Sequence, residues 1–167
     1  MRLERTVVTI LLSAGLACEA QEVMSLQAYK NIGQVTDLDT LYISCVHVDT
    51  TLAAFGGVRM EEFMGHYQQF YRGLSSYLHE HGFDWEDTTR CFNKLYFHAD
   101  GRMDKYLYSF NGTLAAERQQ RFQELATSYL KDYRFPMSNT VPFRQCGGSR
   151  FVPVRSDRPE DKIVKDP

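Results

Sequence analysis

The sequence predicts an α+β fold in which a small antiparallel sheet, formed by a hairpin and a terminal strand, packs on one to two amphipathic helices. Three observations lead to this expectation. The dipeptide Asp100-Gly101 joins two aromatic-rich runs, 91–98 and 103–110, which is typical of a β-hairpin. A stripe of apolar residues at helical spacing follows over 114–133. An apolar, extended segment at 141–154 then supplies one more strand.

The length of the hairpin turn predicts which residues of the two strands lie opposite each other. A two-residue type I′ turn at Asp100-Gly101 places Leu95 opposite Tyr106 and Cys91 opposite Phe110. These side chains share one face of the sheet, which is expected to be buried. The other face is expected to be wet, and it carries Lys94, Tyr96, His98 and Lys105.

Two amphipathic helices accompany the hairpin. The helix over 114–133 is expected to start at a cap from Asn111 or Thr113 and to end before Pro136. Its apolar stripe contains Phe122, Leu125, Ala126, Tyr129 and Tyr133.

The earlier helix follows Phe55-Gly56-Gly57 and is expected to end at Gly82, with a kink at Gly73. Its stripe contains Met60, Phe63, Met64, Tyr67, Tyr71, Leu74 and Leu78, and we interpret it as core.

Length and charge limit the classes of protein to consider. A chain of 167 residues accommodates one domain with a proper core, here placed at 40–153 with a first strand over 40–48. The net charge of −2, without a basic stripe, argues against nucleic acid as a partner. Residues 21–39 are expected to be a linker, and the charged segment 154–167 is expected to be a disordered tail.

The N-terminal residues 1–20 resemble a secretory signal peptide. Arg2 and Arg5 precede a mostly apolar run over 6–17, and the small residues Ala17 and Ala20 are candidate cleavage positions. This run is shorter than the ~20 residues that a membrane-spanning helix needs. The protein is therefore expected to be periplasmic or secreted.

The cysteines leave alternatives open. Cys18 could carry a lipid, although Leu16 lies one position too close for the usual lipoprotein signal. Cys91 and Cys146 could form a disulfide if the sheet brings their strands together. Alternatively Cys45, Cys91 and Cys146 are all small buried residues.

Catalytic chemistry finds little support in the sequence. His79 and His81 with Asp84 and Glu86 could supply metal ligands, but alternate residues of a helix diverge. We favour a polar helix end, where histidines interact with the helix dipole. We expect no catalytic residue, no metal and no cofactor.

The order of motifs resembles the TonB C-terminal domain, in the version common in envelope and secreted proteins of Bacteroidota. The resembling motifs are Phe55-Gly56-Gly57 before a helix, the strand 95–101 ending in Asp-Gly, the helix end 133–136 and the closing strand between Pro142 and Pro153. The chain differs from the family in lacking a proline between Phe55 and Gly56. Residues 21–39 contain no proline either, unlike the Pro-rich linker of an energy transducer.

The resemblance implies that the domain binds a protein partner through a sheet edge, and the absence of proline from residues 21–39 argues against an energy transducer. The partner-binding edge is expected at Phe143, Gln145 and Phe151 of the terminal strand. An envelope protein such as an outer-membrane receptor is the implied partner, and a second copy of the chain is another. Contact with the membrane is expected only if Cys18 is lipidated, as in an outer-membrane accessory lipoprotein. A metal-dependent enzyme is the third alternative.

Overall fold

The computed structural model describes residues 21–33 and 38–153, which form an α+β domain around one five-stranded mixed sheet. The signal peptide predicted at 1–20, including Cys18, and the tail predicted at 154–167 lie outside the described residues. The helices and strands are β1 (Glu22–Ser25), α1 (Leu26–Asn31), α2 (Leu38–Leu41), β2 (Ile43–Ser44), a 3-10 turn (Thr50–Leu52), α3 (Val58–Glu80), β3 (Thr89–Phe97), β4 (Met103–Asn111), α4 (Ala116–Leu130) and β5 (Phe143–Phe151).

The sheet is larger than predicted. Its strand order is β1-β4-β3-β5-β2, and the antiparallel centre formed by β4, β3 and β5 is the predicted hairpin and terminal strand. The outer strands β1 and β2 both pair in parallel, so the sheet is mixed rather than antiparallel.

The segment predicted as a linker contributes to this fold. Strand β1 pairs with Lys105–Tyr108 of β4, and Ser25 then caps α1 by accepting a hydrogen bond from the Ala28 amide. The strand predicted over 40–48 is also corrected, because its start belongs to α2 and β2 contains only two residues.

Helices cover both faces of the sheet. Helices α3 and α4 pack on one face, where the main core lies. Helices α1 and α2 cover part of the opposite face, where Tyr29 and Leu38 pack with Tyr96 and Leu107. Tyr96 was predicted to be exposed to water but is buried, because α1, which lies in the predicted linker, and α2, which begins in it, cover this part of the sheet.

Asp39 attaches α2 to the sheet. Its carboxylate accepts hydrogen bonds from Lys94 (2.7 Å) and Tyr96 (2.8 Å) and lies 3.5 Å from the Arg144 guanidinium. Burial opposes ionisation of this carboxyl, but the two hydrogen bonds and the neighbouring positive charges outweigh it and lower the pKa of Asp39. The carboxylate is therefore ionised over the physiological pH range.

The hairpin has the predicted register but a different turn. Leu95 lies opposite Tyr106 and Cys91 opposite Phe110, as expected. The His98 amide donates to the Arg102 carbonyl, and in this turn Gly101 alone has a positive φ, so the turn is not type I′. An irregularity between Tyr96 and Phe97 compensates for the longer turn and restores the predicted pairing.

The two long helices have the predicted apolar stripes, but they differ from the prediction at two positions of the first stripe, at the expected kink and at the expected cap. In α3 the buried side chains include Phe70, which the stripe omitted, whereas Met64 is 37% exposed. Gly73 lies inside the continuous helix α3, and the hydroxyl of Tyr129 occupies the space that a Cβ there would need. Helix α4 begins after Ala115 without a side-chain cap, so neither Asn111 nor Thr113 caps it.

No helix among residues 21–33 and 38–153 is long and apolar enough to cross a membrane.

Candidate functional site

Strand β5 has an open edge over most of its length. One side pairs with β3 from Phe143 to Phe151 without interruption. On the other side, β2 pairs with Phe143 and Arg144, and the amide of Cys45 donates to the Arg144 carbonyl. Within the described part of the chain, no strand pairs with this side of β5 beyond Arg144.

The pairing with β2 identifies the backbone groups at the open edge. The carbonyls of Pro142 and Arg144 accept hydrogen bonds from β2, so these even-numbered residues direct their backbone groups away from β3. Backbone groups alternate sides along a strand. The amides and carbonyls of Cys146, Gly148 and Arg150 therefore point to the open edge.

A groove accompanies this edge. It lies between α3 and the second half of β5 and has a volume of about 410 Å³. From Met64 to Ser75 the helix rises about 16 Å, and the strand from Gly148 to Val152 spans about 13 Å. The groove thus follows the edge for several residues. Its lining comes from Met64, Tyr67, Gln68, Tyr71, Arg72 and Ser75 of α3 and from residues 148–152.

Two of the three residues predicted for the partner-binding edge belong to the core. Phe143 is fully buried and contacts the rings of Phe55 and Phe97, and Phe151 stacks on Trp85. The prediction named them as part of the terminal strand whose backbone groups a partner would engage. Their positions in β5 instead direct both side chains to the helix-covered face, where they contribute to folding.

Gln145, the third predicted residue, faces α3 and is half-buried. Its Nε2 donates to the Cys146 carbonyl, and its Oε1 is buried without a hydrogen-bond partner among the described residues. Because Gln145 is an odd-numbered residue of β5, its own amide points to β3 rather than to the open edge. The edge predicted on this strand is present, but its exposed amides belong to the neighbouring residues.

Consecutive glycines lie at the centre of the open edge. A Cβ on Gly147 would stand 3.0 Å from the Tyr67 hydroxyl, so glycine there lets α3 approach closely. A Cβ on Gly148 would meet nothing within 4 Å, so internal packing does not require glycine at this position. Glycine inside a strand often marks the close approach of another backbone. This dipeptide is the sequence signal for the edge that the prediction overlooked.

A buried polar network connects β5 with the neighbouring strands β3 and β4. Asn93 is fully buried, accepts a hydrogen bond from the Tyr106 hydroxyl (2.9 Å) and donates to the Ser149 hydroxyl (2.9 Å).

The hydroxyls of Tyr67 and Tyr71 lie 3.4 Å apart at the groove. Burial raises the pKa of both phenols, which keeps them neutral. The groove floor therefore combines aromatic carbon with neutral hydroxyl groups.

The possible disulfide between Cys91 and Cys146 is not formed. Ser149 lies opposite Cys91, and Lys94 lies opposite Cys146, so the two cysteines are on opposite faces of the sheet. Both are free, with Cys91 buried and Cys146 exposed. Burial raises the pKa of the Cys91 thiol to about 12 and also raises that of Cys45, which disfavours nucleophilic thiolates at both positions.

The histidine cluster has separate local contacts. His79 Nδ1 lies 2.5 Å from the Asp84 carboxylate, whereas His81 stacks on Tyr77 and lies 2.8 Å from its carbonyl. Glu86 pairs with Arg118 instead. Among the described residues, no group of three or more His, Cys, Asp or Glu side chains could hold a metal ion.

The described residues thus form an α+β domain in which β5 has an open edge beyond Arg144, beside helix α3. Comparison of the chain with protein-family models, with curated proteins and with solved structures found no match.

Proposed function

We propose that the chain is an exported envelope protein whose domain binds a protein partner by strand addition to the open edge of β5. The observation that carries this proposal is the row of backbone groups at Cys146, Gly148 and Arg150 beside the groove of α3. The resemblance to the TonB C-terminal domain leads to the same mode of binding. The domain binds its partner without coupling to an energy source.

Strand addition matches the chemistry of both surfaces. An extended peptide satisfies main-chain donors and acceptors at the edge and inserts alternate side chains beside the strand. The groove between α3 and β5 is placed to receive those side chains, with Met64 and Tyr71 in its wall. The amide of Gly148 points to the edge and is one of the donors that an added strand would use.

The free energies of hydrogen bonding and association show that the edge and the groove must act together. Each hydrogen bond makes a net contribution of about 0.5–1.5 kcal/mol. Association costs at least about 4 kcal/mol in lost translational and rotational freedom. The few backbone groups of Cys146, Gly148 and Arg150 therefore give weak binding alone. Side chains of the partner in the groove would supply the remaining affinity and the selectivity.

The substitution Gly148→Pro tests strand addition. Proline removes an amide that points to the open edge, and it is tolerated at strand edges because the ladder to the neighbouring strand is not interrupted. We expect the variant to stay folded and to lose affinity for its partner by about tenfold or more, since a hydrogen bond is lost and the ring obstructs the incoming strand. The measurement is quantitative capture of envelope proteins on the tagged chain.

Gly148→Ala is the matched control for this experiment. Its Cβ would meet nothing within 4 Å, and it keeps the amide donor. A partner retained by the wild type and by Gly148→Ala, and lost by Gly148→Pro, supports strand addition. Equal retention by all three proteins would show that the β5 edge is not the binding site.

Export is proposed on the basis of the signal-like residues 1–20. The protein recovered from a periplasmic fraction is expected to lack residues 1–17 or 1–20, and intact mass spectrometry measures this directly. A full-length mass there would contradict cleavage of a signal peptide. A mass increased by a diacylglyceryl group on Cys18 would instead support the alternative of an accessory lipoprotein.

A further inference from the structure

Three arginines around the open edge differ from the other arginines of the described chain. Among residues 21–33 and 38–153, the guanidinium groups of Arg72, Arg90 and Arg150 have no carboxylate within ion-pair distance, no hydrogen-bond partner and no aromatic ring beneath them. The other arginines there each have a partner, which is Asp100 for Arg102 and Arg134, Glu86 for Arg118, Glu124 for Arg121, Asp39 for Arg144 and the Phe55 ring for Arg59.

The unpaired arginines surround one stretch of backbone. Arg72 and Arg150 line the groove between α3 and β5. Arg90 and Arg150 line a second depression, of about 360 Å³, on the opposite face of the sheet. Gly148 and Ser149 belong to both depressions, so the positive charges flank the open edge on its two sides.

Arg90 and Arg150 also oppose each other directly. They are cross-strand partners in the pairing of β3 with β5. Like charges at directly opposed positions destabilise a sheet. The chain as a whole has a net charge of −2, so this local accumulation does not follow from a basic composition. A bound carboxylate would remove the repulsion.

An apolar surface accompanies the charges. Phe92 lies opposite Gly148 and, with no side chain there to cover it, is 40% exposed beside Arg90 and Arg150. On the other side of the edge, Met64 and Tyr71 line the groove. A strand added to β5 would direct its side chains alternately to these two surfaces.

We propose that the occupant of the β5 edge is an acidic extended segment of a partner protein. Its carboxylates lie beside Arg90 and Arg150 on the outer face, where guanidinium groups offer paired donors. Its alternate apolar side chains enter the groove between α3 and β5, with Arg72 at the rim. This inference rests on the proposed function and adds the chemistry of the partner.

Synthetic peptides test the inference without knowledge of the natural partner. The probes are three short fluorescein-labelled peptides in which valine alternates with glutamate, glutamine or lysine, titrated into the mature chain and followed by fluorescence anisotropy. We expect the glutamate peptide to bind about tenfold more tightly than the glutamine peptide and the lysine peptide to bind most weakly. The preference should shrink as salt rises from about 0.01 M to about 1 M, since the screening length falls from about 30 Å to about 3 Å.

Variants locate the preference on the chain. Arg150→Gln and Arg90→Gln should each reduce the preference for the glutamate peptide, and the double variant should bind the glutamate and glutamine peptides equally. Arg121→Gln is the matched control, because Arg121 is an exposed arginine of α4 that pairs with Glu124. Loss of the preference in Arg121→Gln as well would overturn the assignment to this edge.

A peptide with N-methylated backbone separates this inference from the proposed function. If the glutamine and glutamate peptides bind equally well and N-methylation abolishes both, strand addition stands and the acidic partner is wrong. If N-methylation has no effect on the glutamate peptide, binding is purely ionic and strand addition is wrong.

The chain's own residues 154–167 are the competing occupant, since Asp157, Glu160 and Asp161 follow β5 closely in sequence. Neutralising these three in the full chain should leave the affinity for the glutamate peptide unchanged. Tighter binding by that variant would identify the tail as the occupant of the edge and overturn the proposal.

Discussion

Replacing Phe122 with alanine is expected to destabilise the domain by about 3–5 kcal/mol, a large part of the roughly 5–15 kcal/mol that holds such a domain folded. Phe122 is fully buried at the meeting point of α4, the hairpin and the end of β5. Its ring contacts those of Phe83, Trp85, Tyr106, Tyr108, Phe110 and Phe151. Removal of the ring leaves a cavity that these rigid neighbours cannot close.

Thermal and urea unfolding measure this loss. The melting temperature should fall on the order of 10 °C. Arg121→Ala is the control on the same helix, because Arg121 is exposed and pairs with Glu124 at its surface; exposed pairs of this kind contribute about 0–1 kcal/mol. Arg118 is unsuitable as a control, since it lies over the Phe83 ring and pairs with Glu86. Similar losses for Phe122→Ala and Arg121→Ala would mean that the buried face of α4 is wrongly assigned.

The centre of the fold could be predicted because each signal there is local. Alternation and the Asp100-Gly101 dipeptide predicted β3 and β4 in the correct register, and helical spacing predicted the buried face of α4 through Phe122. Tyr129 shows where this reasoning ended. It belongs to the apolar stripe that was expected to pack on the sheet, but its ring packs on Phe70 and Tyr77 of α3, a contact that depends on the angle between two helices.

The N-terminal part was mispredicted because its elements are too short for a periodic pattern. Strand β1 has four residues and β2 has two, so neither shows a clear alternation. Their positions depend on tertiary contacts, such as the hydrogen bonds of Asp39 with Lys94 and Tyr96. Such contacts join residues more than fifty positions apart in sequence, and a local pattern carries no information about them.

The sequence predicted the strand that forms the candidate site, but it did not predict which residues of that strand are exposed at its open edge. The apolar character of 141–154 correctly indicated β5, yet it directed attention to Phe143 and Phe151, which are core residues. The open edge depends on how far β2 extends along β5, which the sequence does not encode locally. The arginines at 72, 90 and 150 come from three different elements and meet only after folding.

Replacing Gly101 with alanine is expected to cost about 2–5 kcal/mol of stability, from two separate sources. Gly101 has a φ of +86°, where a residue with a Cβ is disfavoured by about 1–2 kcal/mol. A Cβ there would also lie 2.5 Å from the Phe135 carbonyl oxygen and 2.9 Å from that of Met137. Such overpacking forces the neighbouring backbone to shift, which typically costs a further ~1–3 kcal/mol. The hydrogen bond from the Phe135 amide to the Gly101 carbonyl would be strained at the same time.

Gly82→Ala separates the two sources. Gly82 has a similar φ of +73° at the end of α3, but a Cβ there would meet nothing within 4 Å. Urea unfolding should therefore show a loss of about 1–2 kcal/mol for Gly82→Ala and a clearly larger loss for Gly101→Ala. Equal losses would mean that the segment around Phe135 moves aside without cost. In that case the hairpin turn is not held by the chain that follows α4, and the docking of this turn would contribute little to the fold.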